Sequence, residues 1–290
     1  MLQKIKLNGV IKLVMTINNK TAIKINAPVP EEQSYIQSQQ SANVLFNFMR
    51  KLDYLKMIIR NEAIIPRYYE ENISHLGIEG LNRIAFPMTC FCDINLQKLI
   101  PHVEFYGYYG IGLEKMWGIE QGIQPIRYIN KNSKLISDFS HVFSNSLNRI
   151  SEENEALHEY SNYLLTDLLF MKPLNGEMYR DKNYVLRNFH DEKEWRYVPN
   201  MSKQDELPLV VPQNELNPKA YSSYSEGLRK RDSFWLKFEY EFIKYLIVRD
   251  ENDRTELIRF INQELDTIDE ITKSLLISKI MVFENIREDW

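Results

Sequence analysis

From residue 83 three strand-like runs, at 84–92, 106–113 and 125–129, alternate with a loop or short helix around 96–102 and a short helix near 114–117. Apolar and aromatic residues make up most of them, as half-buried strands favour. A chain that must form three strands in so short a stretch is committed to a sheet there, and the rest is organised around it. The same stretch holds both cysteines, the run Tyr106-Gly107-Tyr108-Tyr109-Gly110 and Trp117. Glycines at 107, 110 and 112, set among aromatics, point to close backbone approach or a bulge.

The flanks alternate between strand and helix patterns. Val44-Leu45-Phe46-Asn47-Phe48 reads as a strand, and Leu52, Leu55, Ile58 and Ile59 recur at helical spacing. Ile64-Ile65-Pro66-Arg67-Tyr68 is a second extended piece. A helical insertion at about 133–172 follows from two periods, Ile136, Phe139, Phe143, Leu147, Ile150 and then Leu157, Tyr160, Leu164, Leu168, with a polar turn at 151–155. Strand-like pieces return at 184–186, 194–198, 209–211 and 242–248. Two terminal helices, at 254–265 and 268–281, would start on the pairs Asp253/Glu256 and Thr267/Glu270. They would turn Leu257, Ile261, Leu265, Ile268, Ile271, Leu275 and Ile280 inward. There is no internal repeat. The pattern predicts one α+β domain over 41–290, preceded by a loosely ordered basic arm at 1–40 with an edge strand at 21–25.

A net charge of −4 gives the whole fold no electrostatic reason to bind nucleic acid. Charge is uneven, with Lys4, Lys6, Lys12, Lys20 and Lys24 in the arm and an acidic C-terminal end. Such a head could touch a phosphate backbone or an acidic partner, or carry scattered solvated lysines. Salt dependence would test a nucleic-acid-binding repressor built on it. No run approaches the roughly 18 apolar residues of a membrane helix. The stretch 10–15 is too short and lysine-broken for a secretory signal. A cytoplasmic protein is expected.

Cys90 and Cys92 point to one face of a strand, and a disulfide between such near neighbours is geometrically unfavourable. Reduced thiols follow. A zinc site from Cys90, Cys92, Asp93 and His102 has only one nearby histidine to complete it, so no metal is expected. There is no phosphate-binding loop and no Gly-x-Ser-x-Gly elbow. The glycines at 107, 110 and 112 have the wrong spacing for a dinucleotide fingerprint.

Pro87-Met88, Cys90-Phe91-Cys92-Asp93-Ile94, His102, Tyr106-Gly107 and Tyr109-Gly110-Ile111-Gly112-Leu113, with Lys115, Trp117 and Pro125-Ile126-Arg127-Tyr128, resemble the core of the abortive-infection AbiGi family. The resemblance implies a bacterial phage-resistance protein, the antitoxin half of a two-component system. A cognate toxin or defence-system protein would be its partner and a phage-derived signal its trigger.

A more distant likeness is to the ADP-ribosyltransferase fold. Proteins of that fold supply His or Arg, then Tyr or Ser, then Glu from three separated strands. Here the opening strand, helix and extended piece at 44–68 look like the start of that fold, with Asn47 where histidine is expected. Asp191-Glu192-Lys193-Glu194-Trp195-Arg196-Tyr197 resembles its late Glu-bearing strand. The likeness implies NAD as substrate, with ADP-ribose transferred or NAD hydrolysed. Glu194 would then stabilise the oxocarbenium-like state, and Asn47, Arg67, Tyr106, Tyr109 and Arg196 would contact NAD. Asn47 in place of histidine equally suits a non-catalytic antitoxin that binds and neutralises a toxin. By residue chemistry alone, Glu194 and Arg196 could share a solvated strand face or pair weakly. Tyr106, Tyr108 and Tyr109 could be packing residues, and Trp117 and Trp195 core. Arg67 could grip a phosphate bidentately or pair with Glu70 or Glu71.

Overall fold

The computed structural model describes residues 2–7, 10–17, 21–26, 36–148, 155–180, 183–201, 207–215 and 217–289. It divides into two units, Met1–Gln37 and Ser38–Trp290. The first unit is an antiparallel meander of β1 (Leu2–Leu7), β2 (Val10–Ile17) and β3 (Thr21–Asn26). Leu2 lies opposite Met15, and Lys12 opposite Asn26. The segment from residue 21, which the sequence suggests as the one strand of a loose arm, is therefore one strand of three.

The second unit is α+β. It opens with β4 (Val44–Met49), α1 (Leu52–Asn61), β5 (Ala63–Ile64), β6 (Arg67–Asn72) and β7 (Arg83–Cys92). Then come α2 (Ile100–Tyr106), β8 (Tyr109–Glu114), α3 (Lys115–Glu120), β9 (Gln124–Pro125) and β10 (Arg127–Ile129). The helical insertion is α4 (Lys134–Asn148) and α5 (Glu155–Leu169); most of the predicted turn, with Ile150, lies outside the described residues. After it run β11 (Met171–Pro173), β12 (Asn175–Arg180), β13 (Asn183–Asn188), β14 (Glu194–Tyr197) and β15 (Val211–Pro212). The chain ends with α6 (Pro218–Arg229), β16 (Leu236–Lys237), β17 (Ile243–Val248), α7 (Glu251–Glu264), α8 (Glu270–Ser278), β18 (Ile280–Val282) and α9 (Phe283–Asp289).

The main sheet runs β18-β17-β8-β4-β7-β14-β9, with β6 and β15 also paired to β7. Its pairs are antiparallel except β17 with β18. On one face Leu45, Phe91 and Ile111 pack against α1, α7 and α8 through Leu55, Ile59, Leu257, Phe260, Ile261 and Leu276. On the other, Phe46, Cys92 and Ile247 meet Leu99, Val103 and Phe283. The insertion covers the first half of β7, with Phe139, Phe143, Leu168 and Leu169 around Ile84, Phe86 and Met88. Trp117 is core, as expected.

Three local expectations change, and the close approach expected at the glycines is present. Tyr106 closes α2 instead of starting a strand, because Pro101 in the first turn opens a helix that Gly107 ends at φ 132°. The caps of α7 and α8 are Asp250 and Asp269, whose carboxylates accept from the backbone N–H groups of Asn252 and Asp253, and of Ile271 and Thr272. Ile271 and Leu275 face outward, 74% and 54% exposed, because α8 seats Lys273 and Leu276 instead. A Cβ on Gly107 would lie 2.2 Å from the Met49 carbonyl oxygen, and those on Gly110 and Gly112 would strike Phe48 and Phe46. The expected close approach thus runs along β4.

Candidate functional site

β7 changes partner along one edge. Its first half pairs with β6, from Asn72 opposite Arg83 to Arg67 opposite Met88, whereas β4 joins it only where Phe46 meets Cys92. Between them residues 89–91 face a break in the ladder. Asn47 spans part of it, its Nδ2 donating to the Cys90 carbonyl at 2.8 Å. A cleft of about 780 Å³ opens here, lined among others by Asn47, Arg67, Thr89, Cys90, Tyr106, Lys172, Glu192 and Glu194. Four of the six residues singled out by sequence therefore share one cleft. Tyr109 does not line it: it packs against the main core and donates to Asp253 at 2.9 Å. Arg196, fully buried, does not line it either.

β14 lies on the opposite edge of β7, with Glu194 opposite Cys92 and Arg196 opposite Cys90. That register turns both charged side chains inward, at 6% and 0% exposure, which overturns a solvated strand face. Trp195, between them, packs on the other side of the sheet against the main core. Arg196 donates through Nε to Glu194 at 2.6 Å, through one terminal nitrogen to the Leu169 carbonyl at 2.7 Å and through the other to Glu71 at 3.0 Å. Lys172, in the short strand β11 that ends the insertion, reaches Glu194 at 3.0 Å and Glu192 at 3.3 Å. The Tyr106 hydroxyl donates to the second oxygen of Glu192. The Glu194 backbone N–H donates to the Tyr128 hydroxyl at 2.7 Å.

The electrostatics follow from this chain of contacts. Burial alone would raise the Glu194 pKa, but Arg196 and Lys172 outweigh it and hold the carboxyl well below its ordinary range. Glu192 has only Lys172 as a cation, so burial wins and its pKa rises. Burial and the neighbouring carboxylates push Tyr106 up as well. His102, beside Tyr106 with ring centroids 4.5 Å apart, is driven down to about 3 by burial and then by Arg187. Burial keeps both cysteines as thiols, far above the usual range.

Asp93, a candidate zinc ligand, is instead paired with the buried Lys115 at 2.8 Å, and Lys115 also reaches Ser41 at 3.2 Å. Among the described residues no group of three or more His, Cys, Asp or Glu side chains could hold a metal ion. No helix among them is long and apolar enough to cross a membrane.

Sequence reasoning gives Lys172 and Glu192 no role and offers Glu71 only as a partner of Arg67, whereas it pairs with Arg196. Lys172 had a signal, a lone lysine closing the apolar run Leu168-Leu169-Phe170-Met171. A cation so placed is buried only if carboxylates meet it. Glu192 had none, because it stands in a short 3₁₀ turn, Phe189–Glu192, where no strand periodicity applies.

Comparison with known proteins places the site in a family. Residues 61–249 match the family model described as "Putative abortive phage resistance protein AbiGi, antitoxin". The chain is also 38% identical, over 249 aligned residues, to the abortive phage resistance protein AbiGi of Lactococcus lactis subsp. cremoris, an alignment covering 79% of this chain and all of that relative. No solved structure matches it. The matched span contains β6, β7, the whole insertion and the Glu194 strand, so the cleft is largely built from it. The chain belongs to the AbiGi family of abortive phage resistance proteins.

Proposed function

We propose that this chain acts in phage resistance as an antitoxin, silencing a cognate toxin by protein–protein contact and not by transforming a small molecule. The observation that carries this reading is the neutralisation of Glu194. A carboxylate that stabilises a developing oxocarbenium ion must keep its negative field available to the substrate. Glu194 spends it on Arg196 and Lys172, in a buried network that also fixes Glu71 and Glu192. The family description, antitoxin, agrees with this reading. The protein would act in the bacterial cytoplasm, with a phage-derived signal as trigger. The test is co-expression with the toxin of the same defence system. A stable stoichiometric complex and restored growth are expected; no complex and no rescue overturn the reading.

One observation favours a second reading, an ADP-ribosyltransferase-like fold that uses NAD. Asn47, Arg67, Tyr106 and Glu194 come from separated segments and still line one cleft, of a size that holds small molecules. In that reading Glu194 acts at the ribose, and exchange of its cation partners frees its charge. Nicotinamide release that Glu194→Gln abolishes would support it.

A further inference from the structure

The two ends of the cleft differ in charge. At one end Glu192 and Glu194 are balanced by Lys172 and, for Glu194, by Arg196 as well. The other begins at Arg67, the first residue of β6, whose candidate partners are taken. Glu70 pairs with Arg83 at 3.0 Å and accepts from the Tyr221 hydroxyl at 2.5 Å, and Glu71 pairs with Arg196. Arg67 has no carboxylate partner among the described residues, and it is hydrogen-bonded to Tyr69. A guanidinium carries five N–H donors, so most of those on Arg67, an exposed residue of the cleft lining, are not used by protein partners. Arg229, at the end of α6, lines the same end and makes only a long contact of 3.9 Å with Glu226.

Two further features mark this end as built for a ligand. Thr89, next along β7 to the Met88 that Arg67 opposes, lines the cleft at 4% exposure, and its Oγ1 has no hydrogen-bond partner among the described residues. A buried hydroxyl without a partner is rare unless something else satisfies it. Tyr54 and Tyr69 stand in the cleft with 39% and 46% of their surface exposed, an uncommon state for large aromatic side chains in a concave site.

We propose that the Arg67 end of the cleft binds a nucleotide-class small molecule, its phosphate on Arg67 and Arg229 and its planar ring against Tyr54 or Tyr69. An arginine fork matches phosphate oxygens in a bidentate geometry, and tyrosine faces accept a flat ring. At the other end Lys172 is already engaged by Glu192 and Glu194, which leaves the phosphate to Arg67 and Arg229. This site is independent of toxin binding and requires no cleavage of the ligand. With a net charge of −4 the chain as a whole does not favour long polyanions over a small nucleotide.

The test is calorimetric titration of the full chain with ADP, NAD, adenosine and inorganic phosphate. ADP is expected to bind at least tenfold tighter than adenosine. Arg67→Gln should weaken ADP at least tenfold and leave adenosine unchanged, and Thr89→Val should weaken ADP several-fold. Arg67→Lys, which keeps the charge and loses the fork, should fall between. The proposal is overturned if neither ADP nor NAD binds, if Arg67→Gln and Arg67→Lys both bind ADP like the native chain, or if a single-stranded oligonucleotide binds in preference to ADP with steep salt dependence. Toxin rescue measured with the same variants separates failure of this site from failure of the antitoxin reading.

Discussion

Replacing Arg196 with methionine tests whether the charged cluster behind the cleft is structural. The guanidinium is fully buried and spends donors on Glu194, Glu71 and the Leu169 carbonyl. Methionine fills part of the volume and satisfies none of these. Glu194 keeps only Lys172, and removing one partner of a buried ion pair costs about 3–5 kcal/mol. The orphaned Leu169 carbonyl adds about 1–3 kcal/mol, while Glu71, partly exposed, can turn to water. The losses overlap, so a total of about 4–6 kcal/mol is expected. For a unit of this size that is a melting temperature lower by about 10–20 °C. Urea unfolding monitored by tryptophan fluorescence would read it directly. Adding Glu194→Gln to Arg196→Met should return about 2 kcal/mol, because the uncompensated charge is then gone. Arg196→Lys should recover only part, since it keeps the charge but not the fork. A loss below about 1 kcal/mol for Arg196→Met, with no coupling to Glu194, would refute the reasoning.

Other outcomes follow from the same geometry. His102 is neutral in the fold with a pKa of about 3, against about 6.5 unfolded, so the unfolded chain takes up the proton first and stability falls as pH drops below 6.5. Between pH 6.5 and 5 this amounts to about 2 kcal/mol, and His102→Gln should flatten the stability–pH curve by that amount in denaturant melts. Asn47→Leu leaves the Cys90 carbonyl unpaired at the break between β4 and β6, and should cost about 1–2 kcal/mol in the same melts. Gly107→Ala should cost about 3 kcal/mol or more, because its φ of 132° and the Met49 carbonyl both reject a Cβ.

Much of the fold is legible in the sequence where periodicity is strong. The stripe Leu52, Leu55, Ile58 and Ile59 specifies α1, and the paired periods at 136–143 and 164–168 specify the insertion that packs on β7. Helix starts were less legible, because several Asp, Asn and Thr residues in each approach could cap and only the three-dimensional entry angle selects Asp250 and Asp269. The site was half legible. Asn47, Arg67, Tyr106 and Glu194 come from the likeness to the ADP-ribosyltransferase fold, which asks for such groups on separated segments, and these four line one cleft. The network around Glu194 was not legible, because whether Glu194 and Arg196 face water or core depends on which strand β14 pairs with. A period of two says that they share a face but not which face. The resemblance carried the family, and the buried charges carried what the family name does not state.

The most direct measurement of the central claim is nicotinamide release from NAD by the purified chain, alone and with the toxin proposed as its partner, beside Glu194→Gln. With Glu194 neutralised by Arg196 and Lys172, neither protein should release nicotinamide above the buffer rate in either state. Release by the native chain that Glu194→Gln abolishes, with that variant still folded by its thermal melt, would contradict the account and make the cleft an NAD-processing site.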